Sequence, residues 1–110
     1  MNREISAFLK DCIVITVSDD YESFETIRNN IALRARARAF EISEKQIARA
    51  LLATITEGLV DAYVLSPTPP HSTKVEYSDE QLNDLWYYVS PRGKALVDRR
   101  LGNQNGGRAS

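Results

Sequence analysis

Apolar positions recur along the first part of the chain with the period of a helix. Ile5, Phe8, Leu9, Cys12, Ile13 and Thr16 fall at i, i+3, i+4, i+7, i+8 and i+11, one stripe of an amphipathic helix. Val14, Ile15 and Val17 make its second half apolar on the other side as well, which implies deep burial or a subunit contact. The β-branched run Ile13 to Val17 also suits a strand. The helical period reaches back to Ile5, however, and the spacing predicts a helix that ends at the acidic turn Asp19-Asp20.

A second helix is expected from Ser23, a good N-cap, with Phe24, Ile27, Ile31 and Ala35 on its apolar face and Leu33 at the edge. The alternation of arginine and alanine over residues 34–38 has period two, but both residues are strong helix formers, so the segment reads as helix with a break near Phe40. A third helix starts at Ser43. Ser43 with Gln46 fits the capping box, and Ile42 precedes it as a staple residue. Ile47, Leu51, Thr54 and Ile55 form its inward stripe, helped by Ala48 and Leu52, and Gly58 is the stop.

From there the period changes to two. Val60, Ala62 and Val64 alternate with Asp61, Tyr63 and Leu65, which predicts a strand. Ser66 to Pro70 is a breaker cluster. Residues 71–84 read as a long polar connection with a short helical turn capped by Ser78. Leu85, Tyr87 and Val89 alternate with Trp86 and Tyr88 as a returning strand. Ser90 then caps a last helix with Pro91 at its first position, where the missing N–H costs nothing. Ala95 and Leu96 are expected to face the core, Gly102 to end the helix, and residues 102–110 to form a disordered tail.

The 110 residues suit one compact domain. No apolar run approaches the ~20 residues of a membrane span, and Arg3, Glu4, Lys10 and Asp11 interrupt any signal-peptide pattern, so a cytoplasmic location is the expectation. Cys12 is the only cysteine and His71 the only histidine. Neither an internal disulfide nor a metal cage of several cysteines is possible, and no metal or cofactor is expected. No nucleophile–base pair and no Gly-rich phosphate loop is present, so catalysis is not expected. Net charge is −1. A nucleic-acid module is usually basic overall, so charge has to be read locally. Arg28, Arg34, Arg36 and Arg38 form a basic run, while acids cluster at Asp19 to Glu25 and at Glu76, Asp79, Glu80 and Asp84. A net charge near zero favours self-association.

Helix, strand, long loop, returning strand, helix is the order of a winged helix-turn-helix. The segments I47-A-R-A-L-L-A-T-I-T-E-G-L-V60 and W86-Y-Y-V-S-P-R-G-K-A-L96 resemble the winged helix-turn-helix superfamily, with closest similarity to bacterial transcriptional regulators of the MarR and PadR type. The resemblance covers residues from about 20 to 101. It implies an α+β, mainly helical fold over residues 1–101, with a three-helix core, a two-stranded wing and a C-terminal helix. It also implies double-stranded DNA as partner, with the third helix in the major groove and the wing on the backbone. Carried onto this sequence, the DNA-binding positions are Ser43, Lys45, Gln46 and Arg49 on the helix, with Glu44, Ala48 and Thr56 on the same side, and Thr73 and Lys74 in the wing beside His71 and Ser72. Arg49 is suited to a guanine, Lys45 to a phosphate or guanine, and Gln46 to an adenine unless the cap holds it. Arg34 and Arg38 are candidate backbone contacts.

One domain offers few strong cationic contacts, so a homodimer on a two-fold site is expected. The stripe Phe8, Leu9, Cys12 and Ile15 is the candidate dimer surface. The competing reading is a protein–protein interaction module on the same fold, favoured by the long acidic wing and the net charge.

Overall fold

The computed structural model describes residues 3–99. The expected helix end at Gly102 and the tail at 102–110 lie outside the described residues. The architecture is α+β: four helices and a four-stranded antiparallel sheet, compatible with a winged helix. In chain order the elements are α1 (Arg3–Thr16), β1 (Glu22–Ser23), α2 (Phe24–Ala37), α3 (Glu44–Thr56), β2 (Val60–Leu65), β3 (Ser72–Val75), a 3-10 turn (Asp79–Gln81) and β4 (Trp86–Val89). A last helix, α4, covers residues 91–99.

The helices begin and end where local chemistry directs them. Ser23 Oγ accepts from the Thr26 backbone N–H at 3.2 Å and starts α2. α2 stops at Arg38, and Ala39 takes a left-handed φ of 56° so that the Phe40 N–H reaches back to the Ala35 carbonyl at 2.9 Å. That bond is the six-to-one closure of a helix end usually made with glycine. α1 packs against both α2 and α3. Leu9, Cys12, Ile13 and Val14 from α1 and Val17 just after it join Phe24, Ile27 and Ile31 from α2 and Ile47 and Leu51 from α3 in one core, closed by Val60, Ala62, Leu85, Tyr87 and Val89 from the sheet side. The apolar second half of α1 is therefore interior to this chain, and the strand alternative for residues 13–17 falls away.

The sheet is larger than the two-stranded wing that the sequence implies. Its order is β1-β4-β2-β3. β2 lies between β4, with Val60 opposite Val89, and β3, with Tyr63 opposite Lys74. β1 adds to the far edge through Glu22–Tyr87 and Ser23–Trp86. β3 falls inside the segment read as a loop. The Asp79–Gln81 turn forms as expected, but Ser78 makes no side-chain cap to it.

Two inward assignments change, at Leu52 and Ala95, and one strand residue lies in the open. Leu52 is 41% exposed rather than helping the α3 stripe. Val64 projects from the far end of β2, beyond the cover of the helices. In α4 it is Gly93 and Val97 that are buried, not Ala95. The reason lies at Gly93: a Cβ there would overlap the Leu59 carbonyl oxygen and the Val89 side chain, so the helix lies directly on the α3–β2 corner. Ser90 locks that corner. Its Oγ donates to the Gly58 carbonyl and accepts from the Gly93 N–H at 3.0 Å, while its N–H donates to the Leu59 carbonyl at 3.0 Å. Gly58 itself holds φ at 79°, a conformation that glycine adopts without strain.

Candidate nucleic-acid interface

The start of α3 is held by the reciprocal capping box. The Gln46 backbone N–H donates to Ser43 Oγ at 3.2 Å, and the Ser43 N–H donates to Gln46 Oε1 at 2.7 Å. Both side chains are thereby committed to the helix start, which meets the condition under which Gln46 is not an adenine reader. Ile47, Leu51 and Thr54 face the core, and Thr54 Oγ1 donates to the Leu51 carbonyl at 2.7 Å, so its hydroxyl is satisfied internally.

The opposite face carries Lys45, Arg49, Leu52 and Thr56 in the open, with Ala48 partly covered. In the formal count, Glu44 and Glu57 cancel the two cations. Geometry separates them. Arg28 of α2 takes Glu44 at 3.3 Å, and Lys10 of α1 takes Glu57 at 2.8 Å. Among the described residues Lys45 and Arg49 make no ion pair within 4.0 Å. The two acids thus fasten α3 to its neighbours, and the two cations remain open to a ligand. Exposed pairs of this kind are weak, about 0–1 kcal/mol each, so their effect is on where charge is presented rather than on stability.

The β2–β3 hairpin ends in residues 66–71, with the prolines and His71 exposed. Asp79, of the acidic stretch, lies away from that hairpin end. The turn at Asp79 folds back beside α3, and a groove of roughly 370 Å³ is lined by Lys45, Ala48, Arg49 and Leu52 on one side and Tyr77, Asp79 and Leu82 on the other. The Tyr77 hydroxyl is buried with no hydrogen-bond partner among the described residues, and burial, with Asp79 alongside, pushes it up to about 12. Tyr87 in β4 anchors the connection by donating from its hydroxyl to the Leu82 carbonyl at 2.8 Å. In the wing Thr73 is exposed, and Lys74 pairs with Asp61 at 3.4 Å. Tyr21 packs against Tyr63 and Tyr88 with ring centroids 5.0 Å from each, and donates to Ser72 Oγ at 3.1 Å. The first contact is edge-to-face and the second tilted, so these rings pack on one another.

The α2 arginines do not join this surface. Arg34 and Arg38 line a separate groove between α1 and α2, with Phe8, Cys12 and Ile15. The Arg38 guanidinium lies 5.4 Å from the centroid of Phe8 and 4.8 Å from that of Phe40, and it reaches Glu4 at 3.4 Å. The expected dimer stripe also divides. Leu9 and Cys12 are core residues of this chain and cannot form a subunit contact without unpacking it, whereas Phe8 and Ile15 remain half-buried at the groove. Burial raises the Cys12 thiol, an effect that Arg34 partly offsets. Among the described residues, no group of three or more His, Cys, Asp or Glu side chains is placed to hold a metal, and no helix is long and apolar enough to cross a membrane.

Leu52, Tyr77 and Leu82 were missed as surface of this site. Leu52 had a signal: Lys45, Arg49, Leu52 and Thr56 continue one i, i+4, i+7, i+11 stripe. Tyr77 and Leu82 had none, because only the return of the connection brings them to α3.

The fold and this face define the class, an α+β chain with a winged-helix-like arrangement. The crystal structure of the diamide-treated YodB from B. subtilis is similar to it, at 22% identity and a TM-score of 0.53, over 97% of this chain and 94% of that one. A likeness at that identity speaks for the fold. No family model and no curated protein matches the chain.

Proposed function

We propose that this protein is a winged-helix DNA-binding protein of the cytoplasm that regulates transcription, and that it works by binding rather than by catalysis. Helix α3 enters the major groove and the 60–89 wing rests on the backbone. The observation that carries the reading is the pairing of Glu44 with Arg28 and of Glu57 with Lys10, which leaves Lys45 and Arg49 open on the outward face of a capped helix. Arg49 offers its planar fork to a guanine edge and Lys45 a point charge to a phosphate or guanine. Ser43 and Gln46 act by shaping the helix start, where free backbone N–H groups suit a phosphate. Thr73 and Lys74 contribute from the wing, with Lys74 exchanging Asp61 for a phosphate. So few cations per copy imply weak binding by one protomer, and two copies on a two-fold site double the contacts.

Fluorescence anisotropy of a labelled random-sequence duplex, titrated from about 20 to 200 mM salt, tests the reading. Binding at low salt that weakens steeply with salt supports it. Arg49→Ala is then expected to weaken binding to a selected site by about 1–3 kcal/mol. The alternative, a winged-helix module for protein partners, is favoured by one observation: Asp79 stands in the same groove as Lys45 and Arg49, where it repels phosphate. No binding at about 20 mM salt and high protein concentration decides for that alternative.

A further inference from the structure

The groove between α3 and the Asp79–Gln81 turn has walls of opposite charge. Lys45 and Arg49 stand on the helix wall with Ala48 and Leu52, and Asp79 on the other with Leu82. Glu80, next to Asp79, is exposed as well. Lys10, Arg28, Arg38 and Lys74 each find a carboxylate on their own chain. Among the described residues Lys45, Arg49, Asp79 and Glu80 form no such pair within 4.0 Å. Leu52, 41% exposed, adds an apolar contact point on the helix wall.

A nucleic acid complements only the helix wall of this groove, and the carboxylates oppose it. A uniformly basic partner complements only the turn. Both walls are satisfied by a surface that carries the same two signs in the reverse order, and a second copy of this chain, rotated about a two-fold axis, presents such a surface. Each pairing then occurs twice, as in any isologous contact. The net charge of −1 leaves little general repulsion between copies.

We propose that two copies dock face to face through this groove, Lys45 and Arg49 of one copy against Asp79 and Glu80 of the partner subunit, with Leu52 near the axis. The patch is small, so the association is weak and salt-sensitive, as for contacts at the low end of interface sizes. It covers the outward face of α3. A paired copy is therefore unable to present that face to any other ligand, and self-association competes with whatever α3 binds. The proposal rests on the charges of the groove and does not require that DNA be bound.

Sedimentation velocity of the full chain, without DNA, at about 20 and 300 mM salt is the test, since screening at the higher salt is strong. The wild type is expected to gain mass at low salt and lose the gain at high salt. Arg49→Glu and Asp79→Arg each place like charges opposite one another twice, so each alone is expected to lose the gain. An equimolar mixture of the two variants is expected to regain it, because both cross-contacts become attractive. An effect confined within one chain cannot produce association in the mixture alone. If either variant fails to fold, as judged by thermal melting, Lys45→Glu with Glu80→Arg replaces the pair. A wild-type mass that is the same at both salts overturns the proposal. So do single variants that keep the gain, or a mixture that does not recover it.

Discussion

Helix α3 serves two regions built on opposite terms. At its carboxy-terminal corner a set of backbone and hydroxyl groups is paired. The Leu59 N–H returns to the Thr54 carbonyl at 2.9 Å, Ser90 links Gly58, Leu59 and Gly93, and α4 lies so close that no side chain fits at Gly93. On its outward face the same helix shows two cations that have no ion partner among the described residues, an exposed leucine and, across the groove, a carboxylate and a buried tyrosine hydroxyl with no hydrogen bond to a described residue. Unsatisfied polar groups cost stability where they are buried, so a chain keeps them where they serve something other than folding. The corner sets the geometry and the face keeps its chemistry free. Changes at the first should therefore act on folding, and changes at the second on binding.

The sharpest way to break this contrast is Gly93→Ala. The added Cβ meets backbone, which cannot step aside, and a loss of about 3 kcal/mol is expected from overpacking. Urea denaturation reads it, and a loss below about 1 kcal/mol would mean that α4 does not press on Leu59 as described. Tyr87→Phe tests the strut between the two regions. Removing the hydroxyl leaves the Leu82 carbonyl without its donor, at a cost of about 1–2 kcal/mol. Amide hydrogen exchange should rise around residues 78–84 while the Gly58–Ser90 corner stays protected; uniform loosening would argue against two separable regions. Ser43→Ala removes half of the capping box and is expected to cost about 1 kcal/mol, checked by thermal melting.

A further test of the contrast is pH. Burial raises Tyr77 to about 12, and burial raises Tyr87 as well, with Tyr77 and Asp84 adding to it. Both groups are protonated in folded and unfolded chains below the ordinary phenol value of about 10, so no dependence arises there. Above it the unfolded chain releases protons that the folded chain retains, and stability falls as pH rises from about 10 toward 12. Denaturation midpoints measured across that interval should decline, and Tyr77→Phe should flatten the decline. A flat profile in the wild type would place the Tyr77 hydroxyl in water.

Much of the scaffold is legible in the chain because its signals are local. Ser23, Ser43 and Gly58 mark helix ends through bonds that span a turn or so, and the periods of α1 and β4 follow from which side chains share a face. β3 escaped because its residues, Ser72 to Val75, include one apolar side chain, and an edge ladder is made by backbone groups that leave little trace in side-chain identity. β1 escaped because it is two residues long and its second residue already serves as the cap of α2.

The site divides along the same line. That Lys45 and Arg49 share an exposed face follows from their spacing alone, since an α-helix repeats every 3.6 residues whatever surrounds it. Which carboxylates neutralise which cations does not follow. Glu44 finds Arg28 at a separation of 16 residues, and Glu57 finds Lys10 at 47. Composition counted those acids against the cations of α3, whereas packing turned them toward α1 and α2. Likewise the acidic stretch after β3 is evident in the sequence, but its place beside α3 depends on how the connection returns under β4. The sequence by itself determined the helices, the caps of α2 and α3 and the exposed face of Lys45 and Arg49, because those depend on neighbours within a turn. Only the tertiary structure decided which charges remain open, because Coulomb pairing acts through space and takes no account of distance along the chain.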